Sequence, residues 1–421
     1  MSRPLAIFVP HCSDMLTDHL PHGDGLTACG FITHLAKRGH RLHVAALRVE
    51  LRKPLPPNVT IHQISPRRTG ALLSRLEYMY RVRALLAELR REVAFDLIHQ
   101  LNPVFTGMSL ALAGSNLPLV LGTYVARWPN DPDAVSSRGG LLGRLAEYGR
   151  DVISSWQQRQ ADTLLLTTPA AWNRIPSPGR LRGQVRFLPH GIDANLFSPA
   201  AADGRELAPA ATSDPRSILF FANVWKRKGI FTLLDAFEQV SLRLPDVRLR
   251  IAGEGPDLAE VKRRAAGMAS ADRIEFLGRQ TRDEAPPLYR ACTLYCLPSF
   301  GEPYGGTIQE AMSCGKPLVV TDSGAPPHLV SKEGGRCVPT GDPEALAAAL
   351  TEVLEDSELQ ARMGRHNRQV VESSMAWERV AQQLESIYEI TLADWRNSNS
   401  PAVARRKSAV SAQNIARERI G

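Results

Sequence analysis

Two stretches of this chain alternate short apolar runs with longer amphipathic ones. The first opens with LAIFV, residues 5 to 9, which reads as a buried strand, followed by the helical TACGFITHLAKRGH and the strand RLHVAAL. VTIHQI, DLIHQ, LPLVLGTY, TLLLTT and QVRFLPHG carry the alternation on to about residue 190. PAAADGRELAPAATSDP, residues 199 to 215, has no apolar stripe and reads as an interdomain linker. A second alternation begins at SILFFANV and continues through VRLRIAG, RIEFLG, TLYCLPS, KPLVVTD and RCVPTG. Strands that alternate with helices build parallel sheets covered by helices. The expected fold is therefore α/β, with two Rossmann-like, doubly wound domains at 1–198 and 216–375. A last helix follows at 376–396, and a mobile, basic tail is expected at 397–421.

In such folds ligands sit beyond the carboxyl ends of the strands. The stretch GEPYGGTIQEAMSCGKPLVV, residues 301 to 320, falls at such an end. It places Glu302 in a loop, Gly305 and Gly306 at a turn, and Glu310 in the helix that follows. A helix N-terminus offers unpaired N–H groups and the positive end of a dipole, which suit a phosphate. Carboxylates beside it accept hydrogen bonds from sugar hydroxyls. Together these suit a nucleotide-sugar. Thr307 and Glu310 also have the spacing of a capping box, in which the acid only satisfies backbone donors. A second strand-to-helix loop, ANVWKRKGIF, gathers Lys226, Arg227 and Lys228 ahead of Gly229. Both loops belong to one parallel sheet, so both open on the same edge, where cations neutralise a leaving diphosphate.

The first loop of the chain, with Gly23 and Gly25, also faces a cleft. It holds His11, Cys12, Asp14, His19 and His22, whose spacing fits no metal motif; a polar loop lining an acceptor pocket is the better reading. Asp131-Pro132-Asp133 is better explained as a turn than as a metal site. Residues 71 to 92 form a basic helix in which Leu72, Leu76, Met79, Leu85, Leu86 and Leu89 recur at helical spacing. It packs on the core through that stripe or lies on anionic lipid.

A net charge of +8 fits a phosphorylated substrate or an anionic membrane face. Aromatic content of 6% and the lack of RNA- or DNA-reading motifs argue against a nucleic-acid partner. The six cysteines form no C-x-x-C pair and read as reduced thiols. No apolar run is long enough for a membrane span, and the N-terminus lacks a signal segment, so a cytoplasmic location is expected.

EPYGGTIQEAMSCGKPLVV, RLRIAGEGPDL, LYRACTLYCLPS, LPHGIDANLFSP and GDGLTACGFITHLAKRGHRLHV together resemble the retaining glycosyltransferases of family 4 over roughly residues 1 to 395. The resemblance implies a GT-B fold, with the two domains facing across a cleft and the final helix returning to the first. It implies that Glu302 contacts hydroxyls of the transferred sugar and Glu310 holds the ribose. Backbone at Gly305, Gly306 and Thr307 would cradle the diphosphate beside Tyr304, and Lys228 matches the family's diphosphate lysine. Gly23 and Gly25 would lie near the diphosphate and acceptor. The chain departs from the pattern at Asn223, where the family has an arginine that Arg227 or Lys226 replaces, and at Tyr124, which takes the place of a cleft histidine. His328 stands where an acid is common. The expected activity is metal-independent, retaining transfer of a hexose to a hydroxyl acceptor, lipid-linked or soluble, in cell-surface polysaccharide or glycolipid synthesis. UDP-sugars are the first choice of donor and GDP-mannose the second; no cofactor is expected. A sugar-nucleotide epimerase and a non-catalytic nucleotide-sugar binder are the alternatives.

Overall fold

The computed structural model describes residues 3–20, 22–101, 103, 107–128, 141–199 and 216–398. The first alternation becomes strands β1 (Ala6–Val9), β2 (Leu16–Thr17), β3 (Arg41–Ala46), β4 (Val49–Glu50), β5 (Val59–Gln63), β6 (Leu97–Gln100), β7 (Leu119–Tyr124), β8 (Thr163–Leu166) and β9 (Gln184–Phe187). Seven of these form one parallel sheet in the order β5-β3-β1-β6-β7-β8-β9, while β2 pairs with β4. The second becomes β10 (Ser217–Phe221), β11 (Arg248–Ala252), β12 (Ile274–Gly278), β13 (Leu294–Leu297), β14 (Leu318–Thr321) and β15 (Gly335–Val338). They form a parallel sheet in the order β12-β11-β10-β13-β14-β15. Both faces of each sheet are covered. Ile7 and Val9 of β1 pack into one apolar cluster and Phe8 into another on the opposite face. This two-sided burial is why the strands read as continuous apolar runs.

The last helix, Trp377–Ser398, follows a single π-helical turn at Val371–Met375. It packs against the first sheet, with Trp377, Val380, Leu384, Tyr388 and Leu392 in the same cluster as Ile7 and Ile32. Glu385 anchors it there. Arg38 bonds one carboxylate oxygen, and His40 Nε2 lies 2.8 Å from the other. Leu5 N–H donates to His40 Nδ1 at 3.1 Å, so Nε2 carries the proton and donates to Glu385. Burial raises the Glu385 pKa, but the hydrogen bonds from Arg38 and His40 outweigh it and hold the carboxyl below its usual range.

The basic helix spans Ala71–Leu89 and packs on the core through Met79, Leu85, Leu86 and Leu89 of the expected stripe. Tyr78, Val82 and Leu86 are buried, whereas Leu72 and Leu76 point to solvent. The Tyr78 hydroxyl donates to the Pro10 carbonyl at 3.1 Å, which turns this aromatic inward. All six cysteines are free thiols. No helix among the described residues is long and apolar enough to cross a membrane. Apart from Pro199, the expected linker lies outside the described residues, as do Asp131-Pro132-Asp133 and the tail beyond residue 398.

Candidate active site at the switch point of the second sheet

Strands β10 and β13 are neighbours, and the chain order reverses between them. The loops that follow them therefore diverge and leave a crevice, the usual ligand position in a doubly wound sheet. The loop after β10 makes one 3₁₀ turn, Lys226–Lys228, and then enters the helix Ile230–Arg243 through Gly229. Gly229 has φ +77°, and a β-carbon there would lie 1.7 Å from the Pro298 carbonyl oxygen, so only glycine fits. The loop after β13 enters the helix Gly306–Ser313 through Gly305, at φ +93°. The Arg227 carbonyl joins the loops, accepting Phe300 N–H at 2.9 Å and Ser299 Oγ at 3.2 Å.

Across this crevice Lys228 Nζ donates to Glu302 Oε2 at 2.5 Å. Both side chains are mostly buried. The backbone of Glu302 is fixed by Ala325 N–H, which donates to its carbonyl at 2.8 Å. Arg227 contacts two indoles, with Cζ 3.3 Å from the Trp225 ring centroid and 4.3 Å from that of Trp128. The expected pairing of an acid and a basic loop is thus present. Asn223 is exposed at the end of β10, and Lys226 points outward.

The capping-box alternative for Glu310 does not form. Gly305 is the N-cap residue, and the Tyr295 hydroxyl donates to Thr307 Oγ1 at 2.7 Å. Glu310 instead accepts from the Tyr289 hydroxyl at 2.8 Å, and burial raises its pKa. Its carboxylate lines a cleft of about 760 Å³ between the two sheets. Gly306, Tyr304 and Gln309 line the same cleft, and Gly23, Thr27 and Gly30 face them from the helix Gly23–Lys37. Arg282, which the sequence gave no reason to select, also lines it.

Two residues of the first half are placed differently from expectation. Gly25 does not line the cleft: its N–H donates to His22 Nδ1 at 3.0 Å, and a β-carbon there would sit 2.1 Å from the Met15 carbonyl oxygen. Gly25 therefore shapes the turn, and Gly23 is the open position. Tyr124 is only 4% exposed and belongs to the core with Leu119 and Leu121. It does not stand in for a cleft histidine, and burial pushes its phenol up to about 12. The pairing of β7 with β8 shifts register between Leu121 and Tyr124, which puts Tyr124 rather than Thr123 on the core face.

A histidine does reach the cleft, from another segment. His190, after β9, lines both the main cleft and a small cavity shared with Asp24, Thr27 and Thr123. Its Nε2 lies 2.7 Å from Thr123 Oγ1, and burial lowers its pKa to about 3, so it is neutral at pH 7. Its N–H donates to the Tyr304 hydroxyl at 2.8 Å, and its carbonyl accepts from Gln309 Nε2 at 3.0 Å. His190 therefore joins the end of β7 to the helix that carries Glu310. Its Pro-His-Gly setting was the available signal. His11, Cys12, Asp14, His19 and His22 do not converge; among the described residues no three metal-ligating side chains come together.

Comparison with known proteins matches both halves of the chain. The profile described as glycosyl transferases group 1 matches residues 208–370, and that described as glycosyltransferase family 4 matches residues 25–196. The mannosylfructose-phosphate synthase of Agrobacterium fabrum is 30% identical over 55% of this chain and 53% of its own length. The N-acetyl-alpha-D-glucosaminyl L-malate synthase of Bacillus anthracis is 23% identical over 89% of this chain and 96% of its own. The chain spans about half the length of several of the curated relatives it matches. Among solved structures, HepE of Anabaena in complex with UDP-glucose superposes with a TM-score of 0.67, at 19% identity, covering 91% of this chain and 99% of HepE. That likeness establishes the two-domain GT-B architecture.

Proposed function

Since the chain belongs to the group 1 glycosyl transferases and has their GT-B fold, we propose that it transfers a hexose from a nucleotide-sugar to a hydroxyl acceptor, with retention at the anomeric carbon. The observation that carries this reading is the Lys228–Glu302 pair, set between two helix N-termini at the switch point of the second sheet. Donor binding exchanges that mutual contact for two new ones. Lys228 turns to the diphosphate and Glu302 accepts from hydroxyls of the transferred sugar. The helix that starts at Gly306 directs its first N–H groups to the phosphates, and Glu310, oriented by Tyr289, holds the ribose. As the glycosidic bond breaks, negative charge grows on the diphosphate. Lys228, Arg227 and the helix ends stabilise it, so the reading assigns charge neutralisation to the chain itself and not to a metal ion. The acceptor oxygen then bonds to the anomeric carbon on the face the diphosphate leaves, and the diphosphate takes the acceptor proton, which preserves the anomeric configuration. UDP-glucose is the first choice of donor, because HepE is described with UDP-glucose bound, and GDP-mannose the second. A screen of UDP, GDP and their sugars by thermal shift tests the reading, since a ligand of the native state raises the midpoint.

The acceptor is proposed to be lipid-linked, in cell-surface glycolipid or polysaccharide synthesis. Two helices of the first half carry an apolar surface toward solvent. Leu72 and Tyr80 are 70% and 74% exposed on Ala71–Leu89, and Tyr148 and Trp156 are 70% and 60% exposed on Leu141–Arg159. Arg75 and Arg83 lie on the first of these helices and Arg90 caps its end, and they complement an anionic surface. Co-sedimentation with phosphatidylglycerol vesicles at low salt is expected to bind the protein, and phosphatidylcholine vesicles are not. Leu72→Asp/Tyr80→Asp is expected to weaken that binding by about tenfold or more. Equal binding of the double variant removes this surface from the account.

A further inference from the structure

The donor cations of the second sheet are covered by a side chain from the first. Trp128 lies just beyond β7, and its ring centroid is 4.3 Å from Arg227 Cζ and 4.8 Å from Lys228 Nζ. The indole is half-buried. Its loop is held from both sides. Ala126 N–H donates to the Pro303 carbonyl at 3.1 Å, next to Glu302. On the other side Arg127 N–H donates to Asn173 Oδ1 at 2.8 Å, Asn173 Nδ2 returns a bond to the Arg127 carbonyl at 3.2 Å, and Arg174 Nε donates to the Val125 carbonyl at 3.2 Å.

We propose that Trp128 is the first domain's contribution to the donor site, covering the diphosphate cations and holding the transferred sugar between its indole and Glu302. The proposal rests on the donor reading above. An aromatic face attracts a cation through its quadrupole, so the contact with Arg227 orients the guanidinium while leaving its positive charge in place for a phosphate. An indole also excludes water, which strengthens every charge interaction beneath it. A pyranose presents a band of C–H groups as well as hydroxyls. Glu302 suits the hydroxyls, and a flat apolar face 4.8 Å from the ammonium that Glu302 binds suits the C–H band. Trp128 thus acts as a positioning residue, and it brings the opposite domain into the donor site without supplying a charge or a proton.

Calorimetric titration of UDP-glucose and of UDP into the protein, Trp128→Ala and Trp128→Phe tests this. Trp128→Ala is expected to weaken UDP-glucose by about tenfold, the scale of a well-placed aromatic contact. UDP, which lacks the sugar, is expected to lose distinctly less. Trp128→Phe keeps an aromatic face and is expected to recover most of the UDP-glucose affinity; it also carries the test should Trp128→Ala fail to fold. UDP-glucose affinity within twofold of the parent in Trp128→Ala overturns the proposal, and so does an equal loss for UDP and UDP-glucose. A parent protein that binds neither UDP nor UDP-glucose fails at the donor reading itself, a result distinct from either.

Discussion

Alanine at Lys228 or Glu302 is expected to lower turnover by about two orders of magnitude or more, the scale of losing a preorganised charge partner in a transition state. The two variants fail for different reasons. Lys228→Ala removes the cation that meets the leaving diphosphate. It also leaves Glu302, only 7% exposed, without its 2.5 Å partner. Breaking a buried pair from one side is destabilising, so part of any loss could come from folding. Glu302→Gln separates the two effects, because the amide keeps the shape and can still accept from Lys228 while the negative charge is gone. The expected result is a large fall in kcat with a thermal midpoint closer to the parent's than that of Lys228→Ala. Turnover at the parent level in both Lys228→Ala and Glu302→Ala would remove the pair from the chemistry.

The second large effect is structural and lies at the crossing between the sheets. Trp377 starts the final helix where the chain passes beside residues 190 to 192, and its N–H donates to the Ile192 carbonyl at 3.2 Å. The indole stacks on His34 at 5.4 Å and meets Phe31 edge-on at 5.1 Å. It also fills space that two glycines leave open. A β-carbon at Gly30 would lie 2.0 Å from Trp377 Cζ2, and one at Gly191 2.2 Å from its Cδ2. Trp377→Ala is therefore expected to cost about 3–5 kcal/mol, as for other buried aromatics cut to alanine, measured by denaturant unfolding. Gly30→Ala should be severely destabilising alone and much milder beside Trp377→Ala, where the clash is gone. A loss below about 1 kcal/mol for Trp377→Ala, which is ordinary for a point substitution, would show that the indole does not hold the crossing.

These residues also show what could be read from the chain. The strands were legible because both faces of each are buried, which leaves unbroken apolar runs such as SILFF and LYCL. The two loops that carry Lys228 and Glu302 were legible because local chemistry places them: glycines at φ > 0 start two helices beside charged side chains. Gly30 carried no such signal. A glycine in mid-helix is explained only by Trp377, which is distant in sequence, and long-range packing leaves no local trace. The same applies to His190, whose meaning comes from Thr123, Tyr304 and Gln309. Tyr124 was placed at the cleft only by the resemblance, as the counterpart of a family histidine. The register shift after Leu121 turns it instead to the face of Leu119 and Leu121. In the helix Ala71–Leu89 the leucine spacing found Met79, Leu85, Leu86 and Leu89 but not Tyr78 and Val82, which share their buried face, and it included Leu72 and Leu76, which point to solvent.

The central claim is that the Lys228–Glu302 crevice takes the diphosphate of a nucleotide-sugar. Calorimetric titration of UDP-glucose and GDP-mannose into the protein and into Lys228→Ala addresses it most directly. One of the two donors is expected to bind the parent saturably, one molecule per chain, with affinity lowered at least tenfold in Lys228→Ala, since a charge-assisted phosphate contact is lost. Binding of neither donor, or equal affinity in the parent and Lys228→Ala, would contradict the account.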